Sequence, residues 1–177
     1  MNRYGGAILN FLFNEIITHI PVHVLRKAFL RLFNKNIASN CVILMHTKIP
    51  CFWNLQMGAN SMVNQYCFLD CRRYKVVIKA NVDIGPYTRI WTLGHNPHDS
   101  EHALYGGDVV IEDHVWIASG VTILPNVHLK KGAVVGAAST VHKNVEEKQI
   151  VAGNPASFLK MRSNKLTYKI KYKPFLE

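Results

Sequence analysis

Acidic side chains are scarce in this chain: 11 Asp and Glu stand against 21 Lys and Arg, a formal charge of +10 over 177 residues. That imbalance admits an anionic partner such as nucleic acid, a phosphorylated cofactor or a membrane surface. Six of the basic residues follow Pro155 (Lys160, Arg162, Lys165, Lys169, Lys171 and Lys173), and beyond Lys165 they read as a solvated surface. Cysteine is also sparse. Cys41, Cys51, Cys67 and Cys71 lie in one half of the chain without the paired Cys or Cys/His spacing of a zinc site, so no metal is expected and the thiols read as reduced and packed. The N-terminus lacks the ordered basic, apolar and small-residue regions of a secretory signal. A cytoplasmic protein is therefore expected, with the inner face of the membrane as an alternative station. Glycine and proline are not in excess, and 49% hydrophobic with 18% charged residues is a globular composition. The length suits one domain with an ordinary core.

No apolar run is long enough to span a bilayer, which takes about 20 residues without charges. The most apolar part, residues 7–33, is broken at Ile20-Pro21. Ile8, Leu9, Leu12, Phe13, Ile16 and Ile17 recur at helical spacing before the break; Val22, Leu25, Phe29, Leu32 and Phe33 do so after it, with Arg26, Lys27 and Arg31 on the other side. Residues 1–36 thus read as a helical segment of two amphipathic helices. Such a face can pack on the body of the protein or a sister subunit, and it also allows peripheral membrane contact.

What the chain has in quantity is a period of six. From Ile111 to Val145 the first place of each block is Ile111, Ile117, Ile123, Leu129, Val135 and Val141, and the fifth is Val115, Val121, Val127, Ala133, Ser139 and Val145. A helix repeats at 3.6 and a surface strand at 2.0, and neither keeps this phase. A six-residue period with turn residues between blocks marks a parallel β-helix, whose coils bury their aliphatic columns only by stacking. The phase begins earlier at Ile37, Ile43 and Ile49. It resumes at Met57, Val63 and Leu69 after a slip near Phe52 and Trp53, and again at Ile78, Ile84 and Ile90 after a slip at 71–73. The fold expected is all-β: a parallel β-helix over 37–157, then a basic C-terminal segment at 158–177.

The phase fails between Ile90 and Ile111, over roughly twenty residues, and a long loop inside a strict repeat is where function tends to sit. This loop, 91–110, carries His95, His98 and His102 with Asp99 and Glu101. The three histidines read as acid-base groups, as metal ligands, or as polar loop residues.

Five motifs in order carry a resemblance: Thr92-Leu-Gly-His-Asn-Pro-His-Asp99, Val110-Ile-Glu-Asp-His-Val-Trp-Ile-Ala-Ser-Gly120, Ile123-Leu-Pro-Asn-Val127, Val135-Gly-Ala-Ala-Ser139 and Ala152-Gly-Asn-Pro-Ala156. Over about half of the chain it resembles the hexapeptide-repeat acetyltransferases, and within them the maltose, galactoside, nodulation and exopolysaccharide sugar O-acetyltransferases. The resemblance implies a left-handed parallel β-helix with a protruding loop. It also implies a homotrimer with active sites between subunits, acetyl-CoA as co-substrate and a sugar or saccharide acceptor, in surface polysaccharide biosynthesis. It places His95 as the general base that deprotonates the acceptor hydroxyl, a role that suits an imidazole. Trp116 matches a tryptophan beside the acetyl end and acceptor pocket; its plain alternative is a surface aromatic. Ser119 falls where a donor meets the thioester, Ala137 along the pantetheine arm, and His142, Lys143 and Lys160 toward the phosphates and nucleotide. Asn64, or Gln65 one residue on, would orient the sugar or the donor carbonyl. Asp70 is either a sugar-binding carboxylate or a corner residue, and Tyr105 and Trp91 border the loop where a sugar could stack.

Three other readings compete. A γ-class carbonic anhydrase shares the fold and binds zinc through histidines, but at wider spacing than this crowded loop. An antibiotic acetyltransferase shares the motifs. A nucleic-acid or membrane module would want rings interleaved with basic residues, which only Tyr168 and Tyr172 offer, so no nucleic acid partner is expected.

Overall fold

The computed structural model describes residues 3–176. From Ile37 the chain visits three parallel sheets in rotation, and the inward positions are those of the six-residue period. The first sheet holds β1 (Val42–Ile43), β3 (Met62–Val63), β6 (Asp83–Ile84), β11 (Trp116–Ile117), β14 (Val134–Val135) and β16 (Gln149–Gly153), followed by the antiparallel β17 (Ala156–Met161). The second holds β2 (Leu55–Met57), β5 (Val76–Ile78), β10 (Val109–Ile111) and β13 (His128–Leu129). The third holds β4 (Phe68–Leu69), β7 (Arg89–Ile90), β12 (Thr122–Ile123) and β15 (Thr140–Val141). Ile117 pairs with Val135, three blocks of six further on. Ile84 pairs with Ile117 across a much longer stretch, because β8 (Leu93–His95) and β9 (Leu104–Gly106) leave the coil between them as a two-stranded antiparallel hairpin.

Parallel pairing in register stacks like on like. Ile84 lies on Ile117 and Ile117 on Val135; Ile78 on Ile111 and Ile111 on Leu129; Ile90 on Ile123 and Ile123 on Val141. All are buried, as are the fifth-place residues Val115, Val121, Val127, Ala133 and Ser139. Each buried Ile or Leu is worth about 1.5–3 kcal/mol over an exposed one, so these columns are the main source of stability. The two slips fall at corners: a 3-10 turn at Phe52–Asn54, and a bend after Asp70.

Corners take left-handed backbone. Asn60, Asn81 and Asn126 do so at φ near +60°, which Asn tolerates. Tyr66 and Tyr87 do so as well, and their rings stack at 5.2 Å, with His46 4.8 Å from Tyr66. Ring contact along that corner offsets part of the backbone cost.

The helices cap the first coil. α1 spans Arg3–Phe11 and α2 His23–Phe33. The expected break at Ile20-Pro21 begins earlier, since Leu12–Ile16 and Ile17–His19 are π and 3-10 turns. Phe13 and Leu30 join the core beside Phe52 and Leu55. The basic side of α2 turns to the coil, not away from it. Arg26 donates to the carbonyls of Ile20 and Ile43, Lys27 to Cys41 and Arg31 to Ile37, so the unpaired edge of the first coil is covered. Among the described residues no helix is long and apolar enough to cross a membrane.

Beyond β17 the chain runs back along a corner. Arg162 donates to the carbonyls of His114 and Gly132, Leu166 is buried, and the carbonyl of Phe175 accepts the His23 N–H. Lys165, Lys169, Lys171 and Lys173 remain exposed, as their composition suggests.

Candidate active site

The excursion from the coil is pinned by backbone. The N–H of Gly107 donates to Thr92 O at 3.0 Å, and a Cβ on Gly106 would overlap that same carbonyl and the Tyr74 ring. Only glycine lets the returning strand lie this close. At the tip, Asn96 N–H donates to Ala103 O, Asn96 Oδ1 accepts the His98 N–H, and Asp99 Oδ1 accepts the N–H groups of Glu101 and Ala103. Asp99 and Asn96 therefore shape the turn through local bonds of the kind these side chains favour.

This frame fixes His95 at the end of β8. Its Nδ1 lies 2.8 Å from the carbonyl oxygen of His102, and the two rings stack at 3.8 Å and 9°. A carbonyl only accepts, so Nδ1 carries the proton and Nε2 keeps a lone pair. The residue is exposed, and nothing described bonds to Nε2. The arrangement can take a proton from a group brought to it. His98 is exposed and gives only its backbone N–H to the turn. The stacked pair presents faces to each other rather than nitrogens. Among the described residues, no three His, Cys, Asp or Glu side chains gather as one metal ion would require.

Trp116 lies elsewhere, on the outward side of the first sheet, where it pairs with Asp83 below and Val134 above and is about half exposed. Asn64 stands two coils before it, beside Asp83: its Nδ2 donates to Ile84 O at 2.9 Å and reaches Asp83 Oδ1 at 3.4 Å. Ser119 and Ala137 are exposed at the following corner, joined by the bond from Ala138 N–H to Ser119 O. His142 and Lys143 are exposed after β15, and Lys160 is exposed on β17 opposite Ile150. One chain thus brings Asn64 and Trp116 each to Asp83, and Ser119 to Ala137. None of the described hydrogen bonds or ring contacts joins His95 to either group.

Asp70 is covered completely. Arg72 holds it through Nε at 2.8 Å and Nη2 at 3.1 Å, and its backbone carbonyl accepts the Thr92 hydroxyl. A ligand would reach that carboxylate only by displacing the guanidinium, so the corner role is the one its contacts support. Trp91 packs on Phe68 at 4.9 Å, while Tyr105 is exposed on β9. The four thiols are free; burial pushes Cys41 up to about 11 and Cys67 up to about 12, which leaves them inert as nucleophiles.

Asp83 belongs to none of the sequence motifs. Burial raises its carboxyl above the ordinary carboxylate value, and no cation among the described residues pairs with it. A signal existed: it stands in the outward column with Val42, Met62, Trp116 and Val134, where every other member is apolar. The carbonyl of His102 had no side-chain signature to find.

Residues 108–143 match the bacterial transferase hexapeptide (six repeats) family. A protein of Saccharomyces cerevisiae named "Putative acetyltransferase" is 39% identical over 117 residues, 63% of this chain and 58% of its own length. The "Putative colanic acid biosynthesis acetyltransferase WcaF" of Escherichia coli K12 is 32% identical over 141 residues, covering 77% of this chain and 75% of that protein. This chain therefore spans little more than half of the yeast relative and three quarters of the bacterial one. A galactoside acetyltransferase solved in complex with coenzyme A superposes with a TM-score of 0.74 at 25% identity, over 96% of this chain and 88% of that one. With the repeat columns, the histidine hairpin and these likenesses in agreement, the chain belongs to the hexapeptide-repeat acetyltransferases.

Proposed function

We propose that the protein is an acetyl-CoA-dependent O-acetyltransferase acting on a sugar hydroxyl in surface polysaccharide biosynthesis, with His95 as general base. The observation that carries this is the His95–His102 bracket. An alcohol is hardly ionised at neutral pH, and an imidazole held as the Nδ1–H tautomer offers Nε2 to its proton. The hydroxyl oxygen then attacks the thioester carbonyl as its proton passes to Nε2. When the C–S bond breaks, the departing thiolate takes a proton back from the imidazolium, and His95 returns to its starting state. In support, one relative is named for colanic acid biosynthesis, and a structural neighbour named as a galactoside acetyltransferase holds coenzyme A.

The residues present suit an elongated thioester. Ser119 and Ala137 are small and exposed along one corner, and Ser119 supplies a donor near the developing oxyanion. Lys143, His142 and Lys160 stand exposed further along, where phosphates would be met by point charges rather than stacking guanidinium planes. We further propose a left-handed, closed coil and a homotrimer, with each site completed between subunits. Support comes from topology: the His95 hairpin leaves the coil between β7 of the third sheet and β10 of the second, whereas Trp116 stands on the first sheet. Thiol release from acetyl-CoA over a panel of sugars tests the reaction class, with His95→Ala as the control. Release that depends on sugar and collapses in the variant is the expected result; release unchanged in the variant would remove His95 from its role. Sedimentation at three chains per particle is expected, and a monomer that remained fully active would contradict the shared site.

A further inference from the structure

The outward column of the first sheet contains one charged side chain, and it stands beside the exposed indole. Asp83 pairs directly with Met62 and Trp116 in neighbouring strands. A strand pair of this kind holds side chains on the same face within about 5 Å at Cβ. Asn64 lies alongside, its amide N–H₂ spent on Ile84 O and, at longer range, on Asp83 Oδ1. Among the described residues no donor meets Asn64 Oδ1, and none but Asn64 meets the Asp83 carboxylate. Two oxygen acceptors and an exposed indole therefore stand on three successive coils along the first sheet, with Asp83 in the middle.

As a structural feature this makes little sense. A partly buried carboxylate without a cation or an N–H cluster is a cost to the fold. Neighbours in the same column manage with Val42, Met62 and Val134. What the set does suit is a flat ring with donors along one edge and C–H groups on its face: hydroxyls would donate to the carboxylate and the amide oxygen while the ring lies on the indole.

We propose that Asp83, with Asn64 and Trp116, forms the subsite that binds the acceptor through hydroxyls of a pyranose that do not react, and that Asp83 sets acceptor specificity. This rests on the sugar acetyl transfer reading. Asp83 is a binding residue, with no part in the proton transfer assigned to His95. The chemical class follows from the acceptors: a neutral polyol edge, since the site offers only acceptors and a carboxylate that burial already disfavours as a bare charge.

The test uses the full-length protein with methyl pyranosides as probes at saturating acetyl-CoA, comparing wild type with Asp83→Asn and Asp83→Leu. The acceptor KM rises by about tenfold in Asn and further in Leu, the loss expected when a site built to bond a hydroxyl is deprived of its partner. The KM for acetyl-CoA and kcat stay within about twofold, as removal of uniform binding requires. A deoxy sugar lacking the hydroxyl that meets Asp83 should be handled alike by wild type and Asp83→Leu. An acceptor KM unchanged in both variants overturns the assignment alone, as does a rise in the KM for acetyl-CoA in its place. Failure of wild type to acetylate any pyranoside overturns the sugar reading, and this subsite with it.

Discussion

The coil from Val109 to Val141 and the hairpin that interrupts it just before are adjacent in sequence and opposite in construction. In the coil, side chains do the work: Ile111, Ile117, Ile123, Leu129 and Val135 are fully buried and stack in columns. In the hairpin the backbone does it: Gly107 N–H on Thr92 O, Asn96 N–H on Ala103 O, and His95 Nδ1 on His102 O, while Leu104 and Tyr105 are half exposed. Stability resides where side chains are buried, and the imidazole proposed as base is held where they are not. The two regions should therefore fail in different ways.

The sharpest form of that contrast is a crossed pair. His95→Ala should lower turnover by about 10²–10⁴-fold, the span of a lost general base, while an exposed position costs stability only within about 0.5 kcal/mol. Ile117→Ala should do the reverse. Truncating a fully buried column residue costs about 2–5 kcal/mol, yet the fraction still folded should keep the wild-type acceptor KM. Denaturant midpoints and thiol release on the same preparations check both. If Ile117→Ala abolished turnover at full folding, or His95→Ala melted early, the division would be wrong.

Gly106→Ala probes the junction between the two regions. Its new Cβ meets the Thr92 carbonyl, which belongs to backbone and cannot swing aside. The returning strand must shift, and the His102 carbonyl shifts with it. Turnover should fall by about tenfold to a hundredfold, as sub-ångström to ångström misplacement of a reacting group does. The overpacking cost to the fold should be about 1–3 kcal/mol. A variant with normal turnover would show that the His95 bracket does not depend on the hairpin base.

The same contrast explains what the sequence disclosed. The first-place inward residues, Ile37 to Ile90 across two slips and Ile111 to Val141 without one, are legible because a period of six carried around three sheets fixes their phase. The excursion could be located only as a gap in that phase. Its antiparallel pairing has no repeat of its own, and what orients His95 is a backbone carbonyl, invisible in residue types. The sequence puts the N-terminal break at proline, while the helix gives way from Leu12, where Phe13 and Asn14 turn in and Asn14 Oδ1 accepts the Ile49 N–H at 2.6 Å. Asp83 escaped for a different reason: one charge in a register of six looks like ordinary surface until Trp116 and Asn64 are seen around it.

A milder effect should separate the helical cap from the coil. His23 is buried at the start of α2, and its Nε2 accepts the Ile43 N–H. Burial first, then Lys27 and Arg26, lowers its value from 6.5 to about 4. A folded-state value below the unfolded one means that the stabilisation is complete above pH about 6.5 and is lost as pH falls toward 4. Melting should fall over that window. His23→Gln, which keeps an acceptor for Ile43 and cannot titrate, should flatten the profile. An unchanged slope in that variant would place the acid sensitivity elsewhere.

The smallest effect bears on the outward face of the coil, where stability and binding should conflict. The Asp83 carboxyl is raised by burial, so its ionised form is disfavoured in the folded chain. For a raised group the favourable contribution is present below the unfolded value and is lost as pH rises through the folded one. At neutral pH the ionised Asp83 is thus a burden, and Asp83→Asn should melt slightly higher than wild type. Because the side chain is partly exposed, solvent screening keeps the gain under about 1 kcal/mol. The difference should shrink as pH falls through the raised value of the Asp83 carboxyl, below which wild type carries its own proton. A residue that only braced the sheet would give a loss at every pH. A gain in stability confined to neutral pH, alongside a weaker acceptor KM, is the pattern of a group kept for its ligand.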